Sequence, residues 1–160
     1  MIGIFRRDAL PQSALPSVGL ALWHVGDPGN VGTLIRTADA LGPAFVALSD
    51  GCADPTGPRA LRASMGALFR VPLTSFADAP GRRVALVSHG GVVLGEVEFE
   101  PPVTLLLGAE REGLPQEILE QCETQVTIPL ADGAESLNVA AAGAIALYEL
   151  TRQRRVTDLS

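Results

Sequence analysis

The stretch GLALWHVGDPGNVGTLIRTADALGPAFVALSD, Gly19 to Asp50, decides the fold. Its two ends, GLALWHV and AFVALSD, are short runs that are apolar nearly throughout, as strands covered on both faces should be. Between them Val31, Leu34, Ile35, Ala38 and Leu41 recur at helical spacing and form one apolar stripe. Asn30 follows Pro28 and Gly29 and is the expected N-cap, so a helix is expected from Asn30 to Leu41. Strand, helix and strand in close succession make the unit from which parallel sheets are built. Arg36 lies on the far side of the helical wheel from the stripe. An arginine so placed either is solvated or faces a ligand. In an open parallel sheet, ligands gather at the carboxyl ends of the strands, where the helix N-termini offer free N–H groups.

The same alternation continues outward. Further strands are expected at VALVSH, TLLLGAE and QVTIPL, with a short one around FRVPLTS. Helices are expected at Pro58 to Phe69, Pro115 to Gln121 and about Ser136 to Arg152, the last with a weak point at Gly143. The expected fold class is α/β, a mostly parallel sheet flanked by helices, in one domain over residues 1–160.

Composition narrows the function. The 160 residues carry a net charge of −6, which argues against a protein that coats nucleic acid non-specifically. The charge is unevenly spread. Residues 1–83 hold eight arginines and six acids, residues 84–160 four arginines and twelve acids, and there is no lysine. Arginine's planar fork suits phosphate, although a coding bias toward arginine has the same appearance. No apolar run reaches the roughly 20 residues that span a bilayer, and the N-terminus lacks the pattern of a secretory signal, so a cytoplasmic protein is expected. Cys52 and Cys122 stand far apart without metal-ligand spacing, and His24 and His89 have no partners that suggest a metal site. Trp23, in an expected strand, is a core residue by expectation.

Two more segments join Arg36 as candidates. In LLLGAEREGLP a buried strand ends at Gly108, Glu110 follows at its carboxyl end, and Gly113 precedes the next helix; taken alone this is a polar loop or a site. In IPLADGAESLNVAAAGAIALYEL a strand ends at Ile128 and Pro129, and Ser136 or a neighbour caps a helix of small and aliphatic residues. That helix has no wide polar face before Glu149, so it lies in the core or meets a partner subunit.

With NVGTLIRTADALG, RASMGALFR, LLLGAEREGLP and IPLADGAESLNVA in this order and spacing, the chain resembles the SpoU (TrmH-like) branch of the SPOUT superfamily, RNA ribose 2′-O-methyltransferases that use S-adenosylmethionine. The resemblance implies a deep C-terminal trefoil knot that connection rules alone would not suggest. It also implies a homodimer, and a cofactor held by Leu86, Val87, Ser88, Gly108, Ile128, Ser136 and Leu137. It places the catalytic positions on Asn30, Arg36, Glu110, Ser136 and Asn138, with tRNA or rRNA as substrate and no metal. Many such proteins carry an additional N-terminal RNA-recognition domain, which is not expected in this chain.

Methyl transfer to a ribose hydroxyl needs in-line approach and loss of a proton whose pKa is far above neutrality. On this resemblance Arg36 anchors a phosphate and stabilises the developing oxyanion, while Asn30 and Glu110 orient Arg36 or the hydroxyl. Ser136 and Asn138 hold the cofactor end and the loop. Arg59 and Arg62 extend the RNA-phosphate track or are solvated; Arg152, Arg154 and Arg155 touch RNA or complement the helix dipole. Two rival readings are a non-catalytic knotted protein that binds RNA or cofactor, and an unrelated nucleotide-binding enzyme. No GxGxxG follows the first strand to support the second.

Overall fold

The computed structural model describes Arg6 and residues 10–157. Its strands are β1 (Val18–Leu22), β2 (Phe45–Leu48), β3 (Leu73–Ser75), β4 (Arg82–Leu86), β5 (Val92–Val93), β6 (Val103–Leu107) and β7 (Thr124–Thr127). They form one sheet in the order β3-β2-β1-β6-β4-β7-β5, with every pairing parallel. The helices are α1 (Pro28–Leu41), α2 (Pro58–Ser64), α3 (Gln116–Leu119) and α4 (Val139–Thr157). The fold class is therefore the expected one, and the apolar runs have the expected cause. All five residues of β1 and all five of β6 are buried. Leu20 and Leu22 enter the larger core with Leu34, Ile35 and Leu147. Ala21 turns to the other face, among Phe45, Ala47, Leu106 and Ile118. Trp23 packs partly buried against that second cluster, edge-on to Phe76 at 5.1 Å.

The start of α1 differs from expectation. Its N-cap is Asp27, whose Oδ1 accepts from the Asn30 N–H at 2.9 Å, and Pro28 occupies the first turn. Proline pre-sets the helical φ there, which moves the cap upstream and releases the Asn30 side chain. Helix α2 is shorter than the expected Pro58 to Phe69. It stops where Met65 (φ 50) and Gly66 (φ 83) turn left-handed, and a 3-10 turn over Ala67–Phe69 returns fully buried Ala67 and Leu68 to the core. Helix α3 is a single turn. Helix α4 begins at Val139, because the Asn138 Oδ1 accepts from the N–H groups of Ala140 (2.9 Å) and Ala141 (3.3 Å). Gly143 marks a close approach: a Cβ there would lie 2.4 Å from Leu34 Cδ2 and 3.1 Å from Leu107 Cδ1. Gly32 lets α1 press onto α2 in the same way, since a Cβ there would lie 2.3 Å from the Ala60 carbonyl oxygen. α1 is thus wedged between two helices.

Each of the five expected main strands ends two or three residues earlier than its apolar run. The overhangs, such as Val87–His89, Gly108–Glu110 and Ile128–Leu130, are loops at the carboxyl edge of the sheet. Val87 and Ile128 prolong the apolar runs because they line a cavity. Strand β5 has no distinguishable sequence signal. Among the described residues no helix is long and apolar enough to cross a membrane.

Candidate active site

Parallel strands all point their carboxyl ends at one edge, so the loops after β4, β6 and β7 converge there. They enclose a pocket of about 570 Å³. Leu86, Val87 and Ser88 enter from the β4 loop, Gly108 and Glu110 from the β6 loop, and Ile128 from the β7 loop; Ser136, Leu137 and Asn138 close it ahead of α4. All seven residues expected to hold a cofactor line this pocket. Two backbone features shape it. A Cβ on Gly108 would lie 2.1 Å from the carbonyl carbon of Gly113, so only glycine lets the 108–113 loop fold back on itself, with the Gly113 N–H bonded to the Ala109 oxygen at 2.9 Å. The Thr127 hydroxyl donates to the Ser88 carbonyl at 3.1 Å and ties the β7 loop to the β4 loop.

Three of the five expected catalytic residues form one hydrogen-bonded chain. The Asn138 Nδ2 donates to the Asn30 Oδ1 at 3.1 Å, and the Asn30 Nδ2 donates to the Glu110 Oε1 at 3.0 Å. Residues 30, 110 and 138, remote in sequence, are thereby joined beside the pocket, which Glu110 and Asn138 line and Asn30 does not. Partial burial pushes the Glu110 carboxyl up. It is outweighed by hydrogen bonds from the Asn30 amide and the backbone N–H groups of Glu110, Asp27 and Gly26, which hold the group below the usual carboxylate range. Glu110 is accordingly an anion at neutral pH.

Arg36 stands apart. It is exposed on α1, does not line the pocket, and its guanidinium has no hydrogen bond or ion pair among the described residues. Asn30 and Glu110 therefore hold each other and Asn138, not Arg36. Ser136 is exposed at the pocket mouth. Arg59 reaches Asp27 at 3.5 Å, whereas the Arg62 guanidinium has no such partner among the described residues. Arg152 is held by Glu149 at 2.6 Å, and the side chain of Arg155 lies outside the described residues. No group of three or more metal-ligating side chains occurs among the described residues.

Several lining residues escape a sequence reading. Arg111 and Glu112 sit inside the quoted LLLGAEREGLP and were within its reach. His89, considered from the sequence as a metal ligand and set aside, is exposed on the pocket lip. Leu119 and Gln125 come from α3 and β7, and nothing in their local pattern marks them.

A parallel sheet whose carboxyl-edge loops build a pocket, with an asparagine and glutamate chain beside it, is an α/β architecture with the geometry of a small-molecule site. The chain belongs to the SpoU rRNA Methylase family, whose model matches residues 17–148. It is 39% identical over 135 residues to the 23S rRNA (guanosine(2553)-2'-O)-methyltransferase of Bacillus subtilis, covering 79% of this chain and 54% of that protein. It is 37% identical over 160 residues to an uncharacterized tRNA/rRNA methyltransferase of Synechocystis, covering 94% of this chain and 57% of that one. The chain thus spans about half the length of these curated relatives. Among solved structures, the SpoU methyltransferase AviRb of Streptomyces viridochromogenes in complex with AdoMet superposes with a TM-score of 0.81 at 32% identity, over 94% of this chain and 65% of that one. A structure concerned with 2-OH methylation of C/U34 on tRNA gives 0.78 at 32% identity, over 87% of this chain and 97% of that one.

Proposed function

We propose that the chain, as one domain over residues 1–160, is an S-adenosylmethionine-dependent methyltransferase acting on a ribose 2′-hydroxyl of tRNA or rRNA, as a homodimer in the cytoplasm. The observation that carries this reading is the Asn138–Asn30–Glu110 chain, which joins three separate sequence segments on the rim of one pocket. The AdoMet complex of AviRb supports the choice of cofactor. The residues present fit it. A cavity of about 570 Å³ is in the range of small-molecule sites. Leu107, Leu119, Leu130 and Val139 offer an apolar wall for a flat ring, while Ser88, Arg111, Glu112 and Ser136 offer polar groups for hydroxyls and a charged tail. Leu86, Val87, Ser88, Gly108, Ile128, Ser136 and Leu137 would hold the group. The deep trefoil knot implied by the family resemblance belongs to the same proposal.

Bound S-adenosylmethionine supplies an electrophilic methyl group. The protein contributes position and electrostatics. Glu110 and Asn30 hold the rim, Asn138 caps α4 and so sets the loop that carries Ser136, and Arg36 takes an RNA phosphate and stabilises charge developing on the ribose oxygen. No lysine exists to act as a base, and an arginine is a poor one by its ordinary pKa. Arg36 acts in a cleft completed by a second copy. The exposed apolar row Leu137, Ile145 and Tyr148 on and beside α4, each more than a third accessible, supports that copy's docking.

The test is transfer of label from radiolabelled S-adenosylmethionine into total tRNA and, separately, rRNA from cells lacking this protein, followed by nuclease digestion. A labelled 2′-O-methylnucleotide in one pool is expected. Cofactor binding without transfer to either pool would favour the non-catalytic reading; absence of cofactor binding would overturn the proposal.

A further inference from the structure

The RASMGALFR segment has no part in the pocket, yet it breaks two local rules. Met65 closes α2 in the left-handed region at φ 50, where glycine or asparagine is the usual residue. Its side chain is also 68% exposed, so core packing does not explain a long apolar group there. The neighbouring residues show that the turn itself is well anchored. Ser64 is fully buried with its hydroxyl donated to the Leu61 oxygen at 2.9 Å, and Ala67 and Leu68 are fully buried. A rigid turn therefore presents Met65 outward, with Phe69, itself 43% exposed, four residues on.

The register between the segments fixes what lies beside it. Arg59 pairs with Asp27, the Ala60 carbonyl and Ala63 touch Gly32, and Arg70 forks onto Asp39 with bonds of 2.6 and 3.1 Å. Residues 59–70 therefore run alongside residues 27–39 in the same direction. Between the Gly32 and Asp39 contacts lie Met65 on this segment and Arg36 on α1. The acids of this region are engaged: Asp27 with Arg59 and Asp39 with Arg70. The guanidinium groups of Arg36 and Arg62 are left without an ion pair among the described residues. An exposed apolar residue with one such cation a turn before it on α2 and the other in the stretch of α1 aligned with it suits a nucleotide, with its base on the apolar ledge and its phosphate on an arginine.

We propose that Met65 is a substrate-positioning residue, an apolar ledge on which one nucleobase of the bound RNA rests while Arg36 and Arg62 hold the adjoining phosphates. This rests on the methyltransferase reading above and names how that site seats its RNA. A polar, charge-paired RNA track without the ledge would leave Met65 irrelevant to binding.

The chain contains two methionines, Met1 and Met65, so methyl-13C-methionine labelling yields two signals, and Met65→Leu assigns them. Total tRNA and rRNA are titrated in separately. The Met65 methyl signal is expected to move upfield by the ring current of a stacked base and to saturate with the binding curve. Met65→Ala is expected to weaken RNA binding about fivefold with an unchanged salt slope, as for loss of an uncharged stacking contact. Met65→Leu restores affinity, S-adenosylmethionine binding is equal in all forms, and Arg62→Gln lowers the salt slope by about one. A stationary Met65 signal in RNA-bound protein, or wild-type RNA affinity in Met65→Ala, overturns the ledge alone. A Met65 signal that shifts with protein concentration in the absence of RNA also overturns it, because the ledge is then a contact between copies. Failure of the wild type to bind either RNA or S-adenosylmethionine overturns the methyltransferase reading and the ledge with it.

Discussion

Replacing Asn30 by alanine tests whether the rim is held by a single connected network. The substitution removes the 3.0 Å bond to Glu110 and the 3.1 Å bond from Asn138 while leaving the Asp27 cap, which uses only the Asn30 backbone N–H. A hydrogen bond to a charged group contributes about 1.5–3 kcal/mol and a neutral one about 0.5–1.5 kcal/mol. Both sit at an exposed rim, so the lower ends apply and the expected loss is about 2 kcal/mol. At about 2–4 °C per kcal/mol for a chain near this size, the melting temperature should fall by about 4–8 °C. Asn138→Ala should cost a comparable amount, because it also forfeits the two cap bonds at the start of α4. The shared link then predicts non-additivity: the double variant should be less destabilised than the sum of the singles by about 0.5–1 kcal/mol. Thermal and urea unfolding of the four proteins measures this cycle. Additive losses, or an Asn30→Ala variant as stable as wild type, would show that the two contacts do not act as a unit.

Four further outcomes are expected. Glu110's folded carboxyl lies below its unfolded value near 4.3, so its stabilisation is present above that pH and lost as pH falls through the folded value. Glu110→Gln should thus lower the melting temperature at pH 7 and converge on wild type as pH falls through the folded value; a gap that stays constant with pH would contradict the assignment. Gly32→Ala should cost about 1–3 kcal/mol, since its Cβ would lie 2.3 Å from a backbone oxygen that cannot rotate away, and unfolding by denaturant reads this directly. Arg36→Ala should abolish methyl transfer while isothermal titration shows S-adenosylmethionine affinity nearly intact, because Arg36 does not line the pocket. If the proposed dimer forms through the exposed apolar row of α4, Ile145→Glu should sediment as a monomer in analytical ultracentrifugation where the wild type sediments as a dimer, since it places a charge in that row.

The sheet and its flanking helices were legible because β1 and β6 are buried on both faces and leave unbroken apolar runs, while α1 shows a clean helical stripe. Strand ends were not legible. Val87 and Ile128 carry the apolar signature of a strand for a different reason, the lining of a cavity just past the strand ends. Helix caps failed where two residues compete. Asp27 and Asn30 are both good N-caps, and Pro28 decides between them by its fixed φ. The break of α2 at Met65 was hidden because methionine is a good helix former and the left-handed turn is imposed by burial of Ala67 and Leu68. Residues 30, 110 and 138 were named from the family resemblance, whereas their mutual bonding is a property of the folded chain alone. The separation of Arg36 from that network likewise has no trace in residue spacing.

The position of β6 in the sheet has a consequence for synthesis. It pairs with β1 on one side and β4 on the other, yet its last residue, Leu107, lies two thirds of the way along the chain. As the chain emerges from the ribosome, β1, β2 and β3 can assemble first, with the free edge of β1 apolar on both faces. Strand β4, although made next, has no neighbour to join until β6 arrives, so the nascent half-sheet waits with an open edge for the residue stretch that will close it. A pause in translation between Ser75 and Val103 would prolong that exposure, and a chaperone that shields apolar strand edges would find this intermediate its natural client.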